Sequence, residues 1–556
     1  MSASRPPLRL GLLVDGPEVP AWLGSALDEV VSRGIGEIVL VVEREPDPPP
    51  SVVPSRTSRL WQNRSKLAFA LAERFDARRA KLPPDVPPLQ LAALAPGATV
   101  LRVRPETTRF SDVLTAADVA AIRAANLDVL VRGGFRILRG GVLSSARQGV
   151  WSFHHGDNRQ NRGGPPGIWE VLEDSPVTGV TLQRLTEELD GGIALARSVG
   201  ATRRFSFARN IRHMYRRSSR MLVRSLERLH AGRDPRQASA GDTDLWDAYQ
   251  QPLYRIPENR AVLRHGAALA RSYLGQRLRN RGRRLQWSLA WHHAPGQTGS
   301  EPHGVMHRYR EIPTPRDRFW ADPFIVRDDA RWWMFFEELI YQENRGTIAA
   351  WEMGPKGPIG EPVTALETDC HLSYPQVFRV GGTWYMIPET NKRRRIELYR
   401  ADRFPVGWTL DRVLVDDIDA VDATLLEHEG HWYLFTSIGE PGIDRTEELH
   451  ILVAASPFGP FTAHPENPVV ADVRRARMGG QFFRSRGRLY RPAQIGVPVY
   501  GAGMTVHEVL ELTPATFSER SVYEILPRWR PGIIGSHTIN AADGISVIDL
   551  LRAVRP

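Results

Sequence analysis

Hydrophobic positions along this chain change period twice, and the changes divide it into three stretches. Over the first 150 residues, short apolar runs alternate with amphipathic segments. Residues 8–14, 37–42, 99–103 and 127–131 read as strands, and residues 21–33, 60–81 and 116–125 as helices. Strand–helix–strand alternation is the pattern of a parallel sheet with helical crossovers. Residues 140–146 make a short crossover to a further strand, Val150-Trp151-Ser152-Phe153, which ends on His154 and His155. A loop rich in Gly, Pro, Asn and Arg follows. Next come a helical stretch near 168–173, a strand over 179–185 and a tight Leu189-Asp190-Gly191-Gly192 turn. From residue 203 arginines recur at near-helical spacing with Met221, Leu222 and Leu226 between them, and a second basic run fills 277–284.

From about Trp287 the chain repeats itself. Ala321-Asp322-Pro323-Phe324 leads to Trp332-Trp333-Met334-Phe335, and Ser373-Tyr374-Pro375-Gln376 to Trp384-Tyr385-Met386-Ile387. Val421-Asp422-Ala423-Thr424 leads to Trp432-Tyr433-Leu434-Phe435, and Met478-Gly479-Gly480-Gln481 to Leu489-Tyr490-Arg491-Pro492. Residues 535–548 form a weaker fifth copy. Each copy is a strand, a turn and an aromatic strand, and the spacing of about 50 residues is that of a four-stranded propeller blade. The count predicts five blades, with the strand at 285–291 closing the ring.

With 556 residues the chain needs several cores, since domains average roughly 150 residues. The pattern places an α/β domain at 1–202, a basic helical connector at 203–284 and an all-β propeller at 285–556. A hydrophobic fraction of 42% and a charged fraction of 24% describe an ordinary globular chain. The single cysteine, Cys370, excludes intramolecular disulfides and Cys-rich metal sites, and it fits a reducing, cytoplasmic compartment. No apolar run reaches the ~18 residues of a membrane span. The net charge of +10 comes almost wholly from arginine, with four lysines in the chain. The basic connector reads as solvated linking helices or as a face lying on anionic membrane. Few aromatics interleave with its arginines, which disfavours nucleic acid.

The chemistry-bearing residues cluster between 132 and 192. A histidine at a strand end and a carboxylate in a later turn can meet at a sheet edge, where a carboxylate orients an imidazole for proton transfer. Arg162-Gly163-Gly164-Pro165-Pro166, Thr178-Gly179-Val180-Thr181 and Leu189-Asp190-Gly191-Gly192 follow His154 in order. This stretch resembles the folate-dependent formyltransferases, the family of methionyl-tRNA, glycinamide-ribonucleotide and sugar-amine formyltransferases. The resemblance implies N10-formyltetrahydrofolate as donor, His154 as proton shuttle, Asp190 as its orienting carboxylate and Arg162 near the substrate. It also implies that the loop Gly133-Gly134-Phe135 lines the folate ring, although a Gly-Gly pair serves equally as a plain turn. Ser152 stands where the family has an asparagine that steadies the oxyanion, and losing such a donor costs on the order of 10²–10³ in rate.

In the propeller the aligned first positions are Asp322, Tyr374, Asp422 and Gly479, with Glu389 at the end of an aromatic strand. Carboxylates around a propeller axis resemble the five-bladed glycoside hydrolases of the arabinanase and xylosidase type. There Asp322 matches the base and Asp422 the second aspartate. Gly479-Gly480 falls where the acid belongs, so Glu389 or Glu338 would have to supply it. This half also resembles the N-terminal propeller of plant glucosamine inositolphosphorylceramide transferases. The plain alternative is that Asp322 and Asp422 cap turns. Together the halves imply an N-formyltransferase acting on an amino sugar of a glycoconjugate or nucleotide-sugar precursor, with Asp322, Glu389 and Asp422 gripping the glycan and no metal required. Two other readings stay open: a carbohydrate-active propeller carrying a degenerate formyltransferase domain, and a glycan-binding protein.

Overall fold

The computed structural model describes residues 5–46, 63–82, 88–108, 110–188, 191–240 and 253–555. They divide into two compact units, 1–272 and 273–556. In the first, a seven-stranded sheet is ordered β7-β6-β5-β4-β1-β2-β3, from β1 (Leu8–Val14), β2 (Gly36–Arg44), β3 (Thr99–Val103), β4 (Val129–Arg132), β5 (Val150–His154), β6 (Val177–Arg184) and β7 (Ile193–Ala201). The longer helices are α1 (Ala21–Ser32), α2 (Leu67–Arg79), α3 (Ala116–Ala124), α4 (Phe207–His230) and α5 (Asn259–Asn280), with short ones at Leu91–Leu94 and Trp169–Leu172. Strands β1 to β5 pair in parallel, as the alternation predicts. The wholly parallel sheet is corrected at one edge, because β5–β6 and β6–β7 are antiparallel. For β6–β7, the short turn around Gly191-Gly192 leaves no room for the crossover that a parallel pair needs.

The basic stretch from 203 also differs from a free connector. Helix α4 packs Met214, Met221, Leu222 and Leu226 into one core with Leu10, Val30 and Trp151. Its arginines hold it down. Arg217, 1% exposed, donates to the Thr178 carbonyl at 2.8 Å and to Ser198 Oγ at 3.2 Å, and Arg220 reaches Glu29 at 3.0 Å. Guanidinium groups at helical spacing were legible in the sequence, but not that they pin a helix to a sheet. Helix α5 is the exposed one, with Leu263, Leu274 and Leu278 facing out. Among the described residues, no helix is long and apolar enough to cross a membrane.

The second unit contains five antiparallel sheets. The first joins Arg284–His293 to the last strand, Ile545–Val554, so chain start and chain end of the unit share one sheet. The others follow in order as four-stranded meanders: the second at 318–366, the third at 373–416, the fourth at 420–463 and the fifth at 483–525. This is a propeller-like arrangement.

Three repeats open with the same distortion. Asp322, Tyr374 and Asp422 have φ near +50°, +45° and +52°, each inside a break of strand register. A non-glycine residue held there costs about 1–3 kcal/mol. Side chains from neighbouring sheets offset that cost. Gln376 exchanges hydrogen bonds with Leu425, Asn540 donates to the Pro323 carbonyl at 2.7 Å, and the Gly480 N–H donates to the Tyr374 hydroxyl at 3.0 Å. In the fourth copy Gly480 has φ near +135°, and a Cβ there would lie 2.2 Å from the Ile539 carbonyl oxygen. Backbone crowding therefore demands the Gly that the acid position shows.

Asp549, from the last strand, links the first sheet to the second. One of its oxygens accepts the His537 and Thr538 N–H groups at 2.7 and 3.1 Å, and the other accepts the Asp322 N–H at 3.3 Å. The same carboxylate pairs with the His537 ring. Burial works to strip His537 of its proton, but the Asp549 and Asp322 charges prevail and raise it to about 9. The folded state thus keeps a proton that the unfolded chain loses near pH 6.5, so stability from this pair is full below pH ~6.5 and is lost as pH rises through 9. Calorimetric melting of the second unit's transition should fall over that window in the full-length protein and flatten in His537→Gln. Equal slopes in both proteins would refute the pairing.

Candidate functional site

Parallel pairing sets Val131 of β4 opposite Trp151 of β5. Alternation along β5 puts Ser152 and His154 on one face, and Arg132, the last residue of β4, comes up beside Ser152. Arg132 Nη1 donates to Ser152 Oγ at 3.1 Å and Nη2 to the Phe135 carbonyl at 2.7 Å. His154 Nε2 lies 2.7 Å from the Asn161 carbonyl. A carbonyl only accepts, so Nε2 carries the proton. Gly156 makes this placement possible, since a Cβ there would sit 2.9 Å from Nε2.

Two adjacent histidines have separate fates. His155 lies among Trp22, Phe153 and Tyr215, with ring centroids at 5.2, 5.6 and 4.8 Å. Burial, then the neighbouring His154 and Arg132, lowers it to about 3, so it stays neutral and serves as an aromatic packing residue. His154 is half-buried at the strand end.

The other expected residues sit as follows. Asp190 lies outside the described residues. Gly192 lies beside Gln183, the cross-strand partner of Ser152, and a Cβ there would be 2.9 Å from Gln183 Oε1. Arg162 Nε donates to the Asn158 carbonyl at 2.8 Å within the loop after β5. The Gly133–Phe135 loop folds back on the end of β1. The Phe135 N–H donates to Asp15 Oδ1 at 2.7 Å, and a Cβ at Gly134 would meet the Asp15 backbone nitrogen at 2.6 Å. Phe135 itself packs in the core with Leu13 and Leu130. The close approach that Gly134 allows is therefore to Asp15, while a Cβ at Gly133 would meet Leu23 at 2.8 Å. Sequence reasoning missed Arg132, Asp15 and Gly156. The available signal was a charged residue closing an otherwise apolar strand next to a Gly-Gly pair.

In the second unit the three expected carboxyl groups come together. Asp422 accepts from both arms of Arg477, one at 3.1 Å, and from Gln494 Nε2 at 2.8 Å. Arg477 also stands 3.7 Å from Glu389. Burial first, then Asp422, raises the Glu389 carboxyl well above its ordinary range. Asp322 accepts the Thr538 hydroxyl at 2.7 Å and is held up to about 7, chiefly by burial. Glu338 is engaged elsewhere by Arg318 and Trp320, at 3.0 and 2.9 Å. The arginine at 477, the His537–Asp549 pair and the aromatic rings were not read from the sequence. Trp287 stacks on His537 at 4.0 Å, and Tyr500, 41% exposed, covers Arg477 at 5.0 Å. Ligand atoms of Asp322, His537 and Asp549 lie within 4.8 Å of one another, the spacing of a cation site. Peptide N–H groups occupy Asp549, and the imidazole holds its proton, so the trio is built as an ion-pair network.

Comparison with known proteins separates the two units. Residues 310–530 match the family described as Glucosamine inositolphosphorylceramide transferase 1, N-terminal. The rice protein of that name (Oryza sativa subsp. indica) is 36% identical over 205 residues, covering 36% of this chain and 27% of its own. Methionyl-tRNA formyltransferase of Chlorobium limicola is 28% identical over 157 residues, covering 28% of this chain and 47% of its own. A solved structure, glycinamide ribonucleotide transformylase 1 from Symbiobacterium toebii, aligns over 41% of this chain and 89% of its own, at 17% identity and a TM-score of 0.28. The chain spans less than half the length of either curated relative. It joins a formyltransferase-like half to a half similar to the N-terminal part of glucosamine inositolphosphorylceramide transferase.

Proposed function

We propose that the first unit moves a formyl group from N10-formyltetrahydrofolate to the amino group of a sugar in a glycoconjugate or nucleotide-sugar precursor. The second unit, read as a five-bladed propeller, holds the glycan at its axis. The observation that supports this reading is the sheet edge itself: His154, held with Nε2 2.7 Å from the Asn161 carbonyl, shares a face of β5 with Ser152, which Arg132 contacts at 3.1 Å. The amine lone pair attacks the formyl carbon, the carbonyl pair moves to oxygen, and the amine proton passes to His154. The C–N10 bond then breaks and N10 takes a proton, giving tetrahydrofolate and a sugar formamide. Asp190 orients and charge-stabilises His154, and Arg162 and the Gly133–Phe135 loop shape the cleft. The donor set suits an acyl oxygen, since Arg132 Nε is buried without a partner among the described residues.

A second reading has one observation in its favour. Glu389, its carboxyl raised chiefly by burial, and Asp422 both meet Arg477, and two neighbouring carboxyl groups are what glycosidic chemistry uses. On that reading the formyltransferase half is a relic.

Full-length protein should release tetrahydrofolate when given the formyl donor and an acceptor amino sugar. His154→Ala should abolish release, Asp190→Asn should reduce it strongly, and Ser152→Asn should preserve or raise it. No release with any amino sugar, together with no folate binding in calorimetry, would leave the second reading.

Glycan-array retention tests the axis separately. Tyr500→Ala should lower retention of amino-sugar glycans about tenfold, equivalent to ~1.4 kcal/mol. Arg477→Met should lower it as well, by freeing Asp422. Unchanged retention in both variants would remove the glycan from the axis.

A further inference from the structure

We propose that Arg132 is a catalytic residue of the first unit, supplying the oxyanion contact that Ser152 is too short to make. The proposal rests on the formyl-transfer reading. Its starting point is a replacement of volume and charge. A serine at 152 leaves empty the space of a longer amide, and the Arg132 guanidinium occupies the position beside it, 3.1 Å from Ser152 Oγ. The Ser152 hydroxyl oxygen accepts from Arg132, and its own proton has only the Phe153 carbonyl at 3.5 Å, a weak contact.

The guanidinium is not neutralised by a carboxylate. Asp15 is nearby, but its Oδ1 is taken by the Phe135 N–H at 2.7 Å. Asp112 accepts the Arg136 N–H at 2.9 Å and pairs with Arg44 at 3.3 Å. These charges reach Arg132 from a distance and offset its burial without quenching it. Of the five N–H groups on a guanidinium, Arg132 places one on Ser152 and one on the Phe135 carbonyl. Its Nε–H is buried with no acceptor among the described residues. An unmet buried donor ordinarily costs roughly 1–3 kcal/mol. A cation carrying such a donor on the face of Ser152 and His154 is preorganised for negative charge.

The reaction develops that charge on the formyl oxygen when the amine adds to the carbon. A charged donor binds an oxyanion about twice as strongly as a neutral amide does. Arg132 and Ser152 therefore act as one unit: the arginine carries the charge, and the hydroxyl fixes the guanidinium plane. The resulting cleft has a cationic oxyanion contact and a histidine base, where an amide and a histidine would otherwise stand.

Three variants and one ligand test this. Arg132→Met should lower kcat by on the order of 10²–10³ with KM values little changed. Adding Ser152→Asn to it should recover part of the loss. Arg132→His should impose a fall in activity as pH rises through ~6.5, absent from the wild type. For binding, the probe is a folate analogue carrying an aldehyde whose hydrate mimics the tetrahedral carbon. Its affinity should drop roughly a hundredfold in Arg132→Met while tetrahydrofolate affinity holds. Wild-type transfer that survives Arg132→Met within about threefold would overturn the proposal and leave the formyl-transfer reading standing. Loss of tetrahydrofolate binding in Arg132→Met, with no new pH dependence in Arg132→His, would assign Arg132 a structural role only and overturn it too. A wild type that neither transfers formyl nor binds the analogue would overturn both.

Discussion

Parallel pairing of β4 with β5 is the constraint on which the first unit's chemistry depends. Two strands running side by side end together, so Arg132, Ser152 and His154 arrive at one sheet edge with no loop having to fold precisely around them. Everything else there refines that placement. Gly156 lets the His154 ring settle on the Asn161 carbonyl, and Asp15 anchors the Gly133–Phe135 loop. Helix α4 presses on the far strands through Arg217, a buried cation satisfied by a carbonyl and a hydroxyl. The arginines that lend the chain its basic character thus act as fasteners in this unit.

The second unit reaches a central cluster by a different route. Three sheets each spend strain on one left-handed residue, and each such residue projects toward the same group of side chains. Asp422 is fixed by Arg477 and Gln494, and Asp322 by Thr538 and the His537–Asp549 pair. Burial at this density, with Asp422 close by, holds the Glu389 carboxyl well above its ordinary range. The glycine of the fourth copy follows from the Ile539 carbonyl pressed against it, which is a backbone requirement rather than a lost side chain.

Much of this was legible in the sequence, for identifiable reasons. Strand–helix alternation exposed the parallel strands, because each strand buries both faces and reads as an apolar run. The repeat beginning at Asp322, Tyr374 and Asp422 was visible because bulge, turn and aromatic strand recur together. The antiparallel edge was hidden because hairpin and crossover strands have the same local pattern, and only the shortness of the turn near Gly191 separates them. Arg132, Arg477 and His537 were hidden for another reason. Arg132 works on Ser152, 20 positions away, Arg477 on Asp422, 55 away, and His537 between Asp549 and the distant Asp322. An arginine on a core partner and an arginine in water look alike in one dimension. The basic run in α4 misled for the same reason.

The two units are similar to different known proteins, and the proposed reaction joins them on one glycan. The central claim is that a formyltransferase edge bearing serine in place of asparagine still seats a folate against His154. A crystal structure of the full-length protein soaked with tetrahydrofolate tests this most directly. The account predicts the pteridine beside the Gly133–Phe135 loop and N10 in the cleft bounded by Arg132, Ser152 and His154. An empty cleft at saturating tetrahydrofolate, or folate bound away from that sheet edge, would contradict it.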